Sequence, residues 1–332
     1  MKIKTATKSY DEVMAIKPKK RIKPKRPNIL FRTVLKVGSL PDLIAVRFKL
    51  KKIGMDRLDK KEPCLILMNH SSFIDLKIAS SVLYPRAYNI VCTSDGFVGK
   101  RWLMRNLGCI PTQKFVSDVA LVRDMIYATK TLKSSILMFP EASYSFDGTA
   151  TPLPDTIGKC IKLLGVPVVM LRTYGAFARD PLYNNLQLRR VKVSADLEYL
   201  LSPDDIEQKS ADEINEIIFK RFDFDNFRWQ LENNVLVKEK FRADGLNKVL
   251  YKCPHCLSEG KTVGKGTTVC CENCGEGYLL GENGQLSSLK GDAKFSHIPD
   301  WYKWEREEVR KEIEAGAYKI DTPVDIWISV DT

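Results

Sequence analysis

Short apolar segments alternate with amphipathic segments along the first two-thirds of the chain. The apolar segments end in polar or turn-forming residues, which is typical of strands buried inside a sheet. The segments between them carry apolar residues at helical spacing. The predicted strands are residues 64–69, 88–92, 135–139 and 166–172, and the predicted helices are residues 75–84, 99–107, 117–132 and 155–164. This alternation predicts an α/β fold with a mixed, largely parallel sheet covered by helices.

Segments after residue 172 also have patterns that predict helices and strands. Residues 186–193 alternate apolar and charged side chains, which predicts a half-exposed strand. Ser210 and Glu213 have the spacing of a capping box, which predicts a helix that begins there and continues to Phe222. Residues 298–313 predict a charged helix with one apolar side, and the end of the chain from Asp325 predicts a strand.

Length and composition fit one large folded domain with a smaller unit attached. The chain has 332 residues, of which 44% are hydrophobic, so it can bury a full core. No run of about 18 uncharged apolar residues and no secretory leader pattern occurs, so we expect a cytoplasmic protein. The predicted regions are a basic tail at 1–28, an α/β domain with N-terminal amphipathic helices at 29–245, a four-cysteine unit at 246–282, and a C-terminal helix and strand at 283–332.

Positive charge is concentrated near the N-terminus. The formal net charge is +12, and seven cations fall within a proline-punctuated tract at residues 17–26. Such a tract attracts any polyanion, whether nucleic acid or an anionic lipid surface. Residues 41–53 place Leu43, Val46 and Leu50 on one stripe with basic residues beside it, which predicts a basic amphipathic helix. This helix either lies in a bilayer interface or packs on the core of the domain.

A histidine and an aspartate follow the first predicted strand. His70 comes directly after residues 64–69, and Asp75 lies four intervening residues further on, so that one turn of chain can bring the side chains together. A neutral imidazole held in one tautomer by a carboxylate is a general base, the group that acyl transfer to a hydroxyl needs. The alternative is a polar turn at a strand end without chemistry.

A second polar cluster follows the predicted strand at 135–139. It reads Phe-Pro-Glu-Ala-Ser over residues 139–143 and comes about seventy residues after the Asn-His-(four residues)-Asp pattern of residues 69–75. In this order and spacing the chain resembles the glycerolipid acyltransferase family, whose best-known members are the lysophosphatidic acid acyltransferases. The resemblance covers roughly residues 30–240.

The other motifs of that family fit in part. Gly108 is followed six residues later by Lys114 where the family carries arginine, and the apolar residues 166–169 match the fourth motif. Ala142 replaces the usual glycine of the third motif, and Tyr144 stands where arginine is frequent. Lysine supplies a cation but lacks the bidentate fork of arginine, so lysophosphatidic acid, glycerol 3-phosphate and a lysolipid with another headgroup all stay open as the acceptor.

The resemblance implies direct acyl transfer in phospholipid synthesis. His70 takes the proton of the acceptor hydroxyl as that hydroxyl attacks an acyl thioester, and Asp75 holds the imidazole. The implied donor is acyl-CoA or acyl carrier protein, and the implied acceptor is a lysophospholipid, first of all 1-acylglycerol 3-phosphate. No catalytic cofactor is implied. The implied acceptor-side residues are Lys114, Glu141 and Ser143.

Two further points bear on this interpretation. Ser71 and Ser72 beside His70 offer the alternative of a serine nucleophile, but the nucleophile-elbow pattern is missing, which favours direct transfer. Related enzymes reach lipid through an N-terminal helical pair, so the resemblance favours membrane contact by residues 41–53. We therefore expect an anionic membrane surface as a partner and peripheral attachment to the cytosolic face.

The second region contains two Cys-x-x-Cys pairs. Cys253 and Cys256 form the first, and Cys271 and Cys274 form the second, at the spacing of a zinc ribbon. Four thiolates select a soft or borderline ion and leave no open coordination position, so the predicted zinc is structural. Redox-active thiols and plain core cysteines are the alternatives. Cys270 is left out because Cys271 completes the second pair, and His255 is expected to face solvent.

Two other functional classes remain open at this stage. A zinc-ribbon protein with a basic tail binds nucleic acid in many cases, and this would explain the net charge and the cysteines. It would not explain the histidine, aspartate and glutamate at strand ends, and the ribbon is not strongly basic, so no nucleic acid is expected. The third class is an inactive acyltransferase-like module that binds lipid.

Overall fold

The computed structural model describes residues 6–16, 21–113, 118–319, 321 and 323–326. The strands are β1 Lys49–Ile53, β2 Leu65–Met68, β3 Tyr88–Thr93, β4 Cys109–Thr112, β5 Ser135–Met138, β6 Val168–Tyr174, β7 Ser194–Leu201, β8 Thr262–Lys265, β9 Thr268–Cys271, β10 Gly277–Leu280 and β11 Leu286–Ser288. The α-helices are α1 Tyr10–Met14, α2 Ile29–Ala45, α3 Ile74–Val82, α4 Arg101–Asn106, α5 Val119–Lys130, α6 Ile157–Leu164, α7 Ala176–Arg179, α8 Pro203–Gln208, α9 Ala211–Phe222, α10 Asn226–Glu232 and α11 Ile298–Glu314. The predicted α/β class is confirmed.

The large sheet has seven strands in the order β1-β7-β6-β2-β5-β3-β4. Five neighbouring strands, from β6 to β4, run parallel, and β7 joins β6 in the antiparallel direction. β1 then pairs with β7 in parallel. The carboxyl ends of β2, β5 and β6 therefore lie side by side at one edge, which is the usual place for a site in a parallel sheet.

Both faces of this sheet are buried. Alternate residues of a strand point to opposite faces, and in β2 the side chains of Ile66 and Met68 join one core while Leu65 and Leu67 join the other. The first core is completed by α2 and α3, and the second by α5, α6 and α9. This double cover explains why β2 is apolar at every position instead of alternating.

The capping box at the start of α9 forms as predicted. The side chain of Ser210 accepts a hydrogen bond from the amide of Glu213, and the carboxylate of Glu213 accepts one from the amide of Ser210. The predicted helix therefore begins at Ala211 and ends at Phe222. The predicted strands and helices between residues 64 and 172 are also present, with ends displaced by a few residues.

The prediction of one amphipathic helix over residues 41–53 is wrong. Helix α2 ends at Ala45, Arg47 has a positive φ of 52°, and the chain continues as strand β1. The helix end buries Leu43 and Val46, whereas Leu50 reaches the same core from the strand. Backbone pairing of β1 with β7 decides the conformation, and it leaves the strand lysines exposed.

The predicted strand over residues 186–193 is also wrong, because the strand begins only at Ser194. The amide of Arg189 donates to the carbonyl of Arg179, and the amide of Arg190 donates to the carboxylate of Glu239. These irregular hydrogen bonds replace a ladder. The alternation of β7 itself, with every second residue buried, was not recognised in the sequence.

The C-terminal part forms a second unit on the first. Strands β8 to β11 make a four-stranded antiparallel sheet, and α11 packs on it through Ile298 and Trp301. The same core includes Phe177 and Phe227 from the α/β domain. Residues on both sides of position 245 thus share one core, and the domain boundary there stays a prediction.

A further prediction concerns the end of the chain. Residues 323–326 are not in a strand, and the remainder of the strand predicted from Asp325 lies outside the described residues. Within the described part of the chain, no helix has the length and apolar character needed to cross a membrane.

Candidate active site and metal site

Two adjacent parallel strands deliver the candidate catalytic residues to one place. Leu67 of β2 is in register with Met138 of β5, so the segments that follow the two strands emerge together. The backbone amide of His70 donates to Oε2 of Glu141 over 2.7 Å. The polar clusters seen separately in the sequence therefore form one site.

His70 and Asp75 form a hydrogen-bonded pair. Nδ1 of the imidazole lies 3.1 Å from Oδ2 of Asp75, and the same oxygen accepts hydrogen bonds from the amides of Ser71 (2.7 Å) and Ser72 (3.0 Å). The Asp75 carboxylate is fully buried in the first turn of α3, where the helix dipole favours negative charge. A carboxylate at Nδ1 selects the tautomer in which Nε2 is the free base.

The imidazole of His70 lies between two aromatic rings. Its centroid is 4.2 Å from that of Phe139 and 4.2 Å from that of Tyr144. Burial, together with the nearby charges of Asp75 and Asp180, raises the pKa of Tyr144 to about 12, so its phenol stays neutral at physiological pH. The sequence marked Tyr144 only as a departure from the family pattern, and the packing of both rings on His70 was missed.

Glu141 is buried and bonded on both oxygens. Oε2 accepts from the amide of His70, and Oε1 accepts from the amide of Thr151 over 3.0 Å. Burial raises the pKa of the Glu141 carboxyl group, and the two amide hydrogen bonds oppose that effect. This geometry joins the loop after β5 to the loop after β2.

The sequence also marked serines and a lysine as candidates for this site. Ser143 is exposed on the loop that follows Glu141, and Lys114 lies outside the described residues. Ser71 and Ser72 are buried, and the hydroxyl of Ser71 accepts from Nδ2 of Asn69. The amides of both serines donate to Asp75. Because both serines are buried and hold Asp75 through their backbone, neither is supported as a nucleophile.

A pair of residues missed by sequence reasoning fixes the end of β2. Oδ1 of Asn69 accepts from the amide of Thr173 over 2.8 Å, and Nδ2 of Asn69 donates to the Thr173 carbonyl. The Thr173 hydroxyl also lies 3.5 Å from Oδ1 of Asp75. Asn69 precedes His70 in the sequence pattern, but its partner on β6 is visible only once the sheet order is known.

The four predicted cysteine ligands lie together. All four sulfur atoms are within 4.8 Å of one another, and the Sγ atoms are 3.7 Å apart in both the Cys253–Cys274 and Cys256–Cys271 pairs. A tetrahedral zinc ion with Zn–S bonds of about 2.3 Å requires S–S distances of about 3.8 Å. The cluster therefore fits a four-thiolate metal site.

The two Cys-x-x-Cys turns have matching backbone hydrogen bonds. The amide of Leu257 donates to the Cys253 carbonyl, and the amide of Gly275 donates to the Cys271 carbonyl. Both donors have positive φ, 61° at Leu257 and 73° at Gly275, as this tight turn requires. Cys270 is not part of the cluster, and His255 is exposed as expected.

Comparison with known proteins connects this geometry to a family. Residues 49–172 match the family model named Acyltransferase. Among solved structures, the chain is similar to the 1-acyl-sn-glycerophosphate (LPA) acyltransferase PlsC from Thermotoga maritima, with 16% sequence identity and a TM-score of 0.43, over 57% of this chain and 78% of that chain. The search of curated proteins gave no match. Residues 49–172 therefore carry an acyltransferase-family domain, in agreement with the resemblance to the glycerolipid acyltransferases.

Proposed function

We propose that this protein transfers a fatty acyl group from an acyl thioester to the hydroxyl of a lysophospholipid. The observation that carries the proposal is the buried Asp75 carboxylate bonded to Nδ1 of His70, at the end of a strand inside the acyltransferase domain. This arrangement supplies a positioned general base, which acyl transfer to a hydroxyl requires.

The proposed reaction proceeds without a covalent acyl-enzyme. Nε2 of His70 takes the proton from the acceptor hydroxyl as the hydroxyl oxygen forms a bond to the thioester carbonyl carbon. Asp75 stabilises the imidazolium that results. The tetrahedral intermediate then expels the thiolate, the carbon–sulfur bond breaks, and the proton passes from His70 to the leaving sulfur. Glu141 holds the two loops together, because its carboxylate accepts hydrogen bonds from the backbone amides of both.

The acceptor that we propose is 1-acylglycerol 3-phosphate, with acyl-CoA or acyl carrier protein as the donor. Lys114 occupies the motif position that faces the acceptor phosphate in the family, and Ser143 follows Glu141 on an exposed loop. A lysine contributes a point charge and not a bidentate fork, so acceptors with larger headgroups belong in the same test.

The test is a substrate panel with identified products. Purified protein is incubated with acyl-CoA or acyl carrier protein and a set of lysophospholipids that differ only in headgroup, and the products are detected by mass spectrometry. We expect acylated product from at least one pair, fastest with 1-acylglycerol 3-phosphate. Product with another headgroup would correct the acceptor alone. Binding of lysophospholipid without product from any pair would indicate the inactive lipid-binding module.

We also propose that α2 contacts a membrane at the cytosolic face, which makes the protein peripheral. Four apolar side chains of α2 follow one helical stripe and are each more than half exposed, namely Leu30, Val34, Val37 and Ile44. Exposed Trp102 of α4 packs edge-on against Phe31 of α2 and extends the apolar surface. Exposed Lys49, Lys51 and Lys52 on β1 follow α2 along the chain and supply charge for anionic lipid.

Liposome co-sedimentation checks this surface. Val34→Asp places a charge in the apolar stripe and should reduce binding to anionic liposomes at least several-fold, because a buried charge opposes insertion. Ile313→Asp is the matched control, since Ile313 is a similarly exposed apolar residue on α11. Equal binding by both variants and the unchanged protein would contradict the assignment of α2. Stronger binding to DNA than to liposomes would favour the nucleic-acid alternative.

A further inference from the structure

The loop that follows Glu141, residues 142–151, is attached to the catalytic histidine at both ends. The amide of Ser145 donates to the carbonyl of His70 over 2.7 Å, and the amide of Thr151 donates to Glu141, which holds the amide of His70. The ring of Tyr144 packs on the imidazole. The position of this active-site loop therefore sets the position of His70.

The far side of the active-site loop is held by α10 and the residues before it. The carbonyl of Gly148 accepts from both the amide and Nδ2 of Asn226, each over 2.8 Å. The amide of Ala150 donates to the Phe224 carbonyl, and Thr149 pairs with Asp225 as an antiparallel bridge. The loop is thus clamped between His70 on one side and the start of α10 on the other.

Helix α11 holds both the loop and α10. Nε2 of His297, the residue before α11, lies 2.7 Å from Oδ2 of Asp225. The ring of Tyr302 packs against the ring of Phe146 in the loop, with centroids 5.5 Å apart. Phe227 of α10 belongs to the same core as the apolar side of α11 and the ribbon strands.

The first Cys-x-x-Cys turn is connected directly to α11. Lys252 precedes Cys253, its amide donates to the buried Glu305 carboxylate over 2.8 Å, and its carbonyl accepts from Nε1 of Trp301 over 3.0 Å. A continuous set of contacts therefore leads from the cysteine cluster through α11 to the active-site loop and His70.

We propose that the C-terminal unit positions the active-site loop, so that the four-cysteine turn and α11 control the alignment of His70, with Tyr302 and His297 as the positioning residues. Its consequence for turnover rests on the proposed acyltransferase function. The effect of this positioning on the environment of His70 does not rest on that function, so the change in turnover and the change at His70 can be measured separately.

The chain has three histidines, which makes ring NMR a direct readout. His70 reports the active site, His297 reports the contact of α11 with Asp225, and exposed His255 reports the first cysteine turn. The signals are assigned with single His→Asn variants. Tyr302→Ala removes the ring that touches the loop, and Tyr302→Phe retains that ring. Ile313→Ala on the exposed side of α11 is the matched control.

We expect Tyr302→Ala to shift or broaden the His70 signal and change its titration while the His255 signal stays in place. The kcat for acyl transfer should fall about 10-fold with the KM for the acyl thioester nearly unchanged, because misalignment affects the chemical step. Tyr302→Phe should restore both values, and Ile313→Ala should change neither. His297→Ala serves as a second variant if Tyr302→Ala fails to fold, and it should have the same direction of effect.

An unchanged His70 signal and titration in folded Tyr302→Ala or His297→Ala would overturn the proposal. Loss of every remaining histidine environment in both variants would overturn it too, since that result indicates general unfolding instead of positioning. If the unchanged protein turned over no substrate, the proposed function would fail, but the NMR comparison would still decide whether α11 positions His70.

Discussion

Oδ2 of Asp75 accepts hydrogen bonds from the imidazole of His70 and from the amides of Ser71 and Ser72. These three donors fix the position of the carboxylate, which leaves the imidazole one tautomer. All of these contacts lie within six residues of chain, which is why the sequence spacing was sufficient to predict the pair. The contacts of Glu141 and Tyr144 with His70 needed the strand register and were not predicted as such.

Glu141→Gln tests whether Glu141 organises the loops or binds the acceptor. A carboxamide offers one acceptor oxygen, so its NH2 group would face the amide of either His70 or Thr151. We expect kcat to fall about 10- to 100-fold from misplaced loops, with acceptor KM little changed. Steady-state kinetics checks this, with Glu232→Gln at an exposed position as the control. A rise in acceptor KM alone would instead assign Glu141 to acceptor binding.

Helix α11 carries a buried carboxylate that should make stability depend on pH. Glu305 is fully buried, and burial raises its pKa to about 8, against the lowering effect of the Lys252 amide. The folded protein then binds a proton that the unfolded chain releases near pH 4.5. Stability from this group is therefore complete below about pH 4.5 and is lost as the pH rises to about 8.

Glu305→Gln should remove that dependence. Glutamine keeps an oxygen for the Lys252 amide and carries no charge, so we expect a flatter stability profile between pH 6 and pH 8 and greater stability at the upper end, by an amount on the order of 1 kcal/mol. Denaturant unfolding across this range measures it, with Glu314→Gln at an exposed position of the same helix as the control. Parallel profiles for Glu305→Gln and the unchanged protein would show that Glu305 is already ionised in the fold.

The sequence predicted elements best where local signals and burial agree. β2 and α9 follow from an apolar run and a capping box, and both form as expected. Residues 41–53 have helical spacing, yet backbone pairing with β7 converts the second half into an edge strand. Residues 186–193 alternate like a strand, but the residues paired with β1 and β6 begin only at Ser194. Pairing between distant segments is a tertiary property that local periodicity does not contain.

The two units of the molecule share one core. Phe177 and Phe227 of the α/β domain pack with Trp301 and the ribbon strands. The cysteine spacing alone predicted the four ligands, but not their attachment to α11 through Lys252. A metal at the cluster would supply much of the folding free energy of the ribbon, as it does in small zinc units generally.

Metal analysis tests the ligand set. Protein purified without chelator should contain about one zinc ion per chain in a four-thiolate site. Cys271→Ser should lose the ion, because Cys271 lies in the cluster, whereas Cys270→Ser should keep it. Retention of zinc by Cys271→Ser, or loss of zinc from Cys270→Ser, would contradict this assignment.

His70→Ala removes the imidazole that we propose as the general base of acyl transfer. The kcat/KM for acyl transfer is measured for this variant and the unchanged protein, with the best substrate pair from the panel and with matched unfolding curves. We expect a loss of about 10²- to 10⁴-fold in a folded protein, since a positioned base contributes about that much. Turnover by folded His70→Ala close to that of the unchanged protein would show that His70 is not the general base.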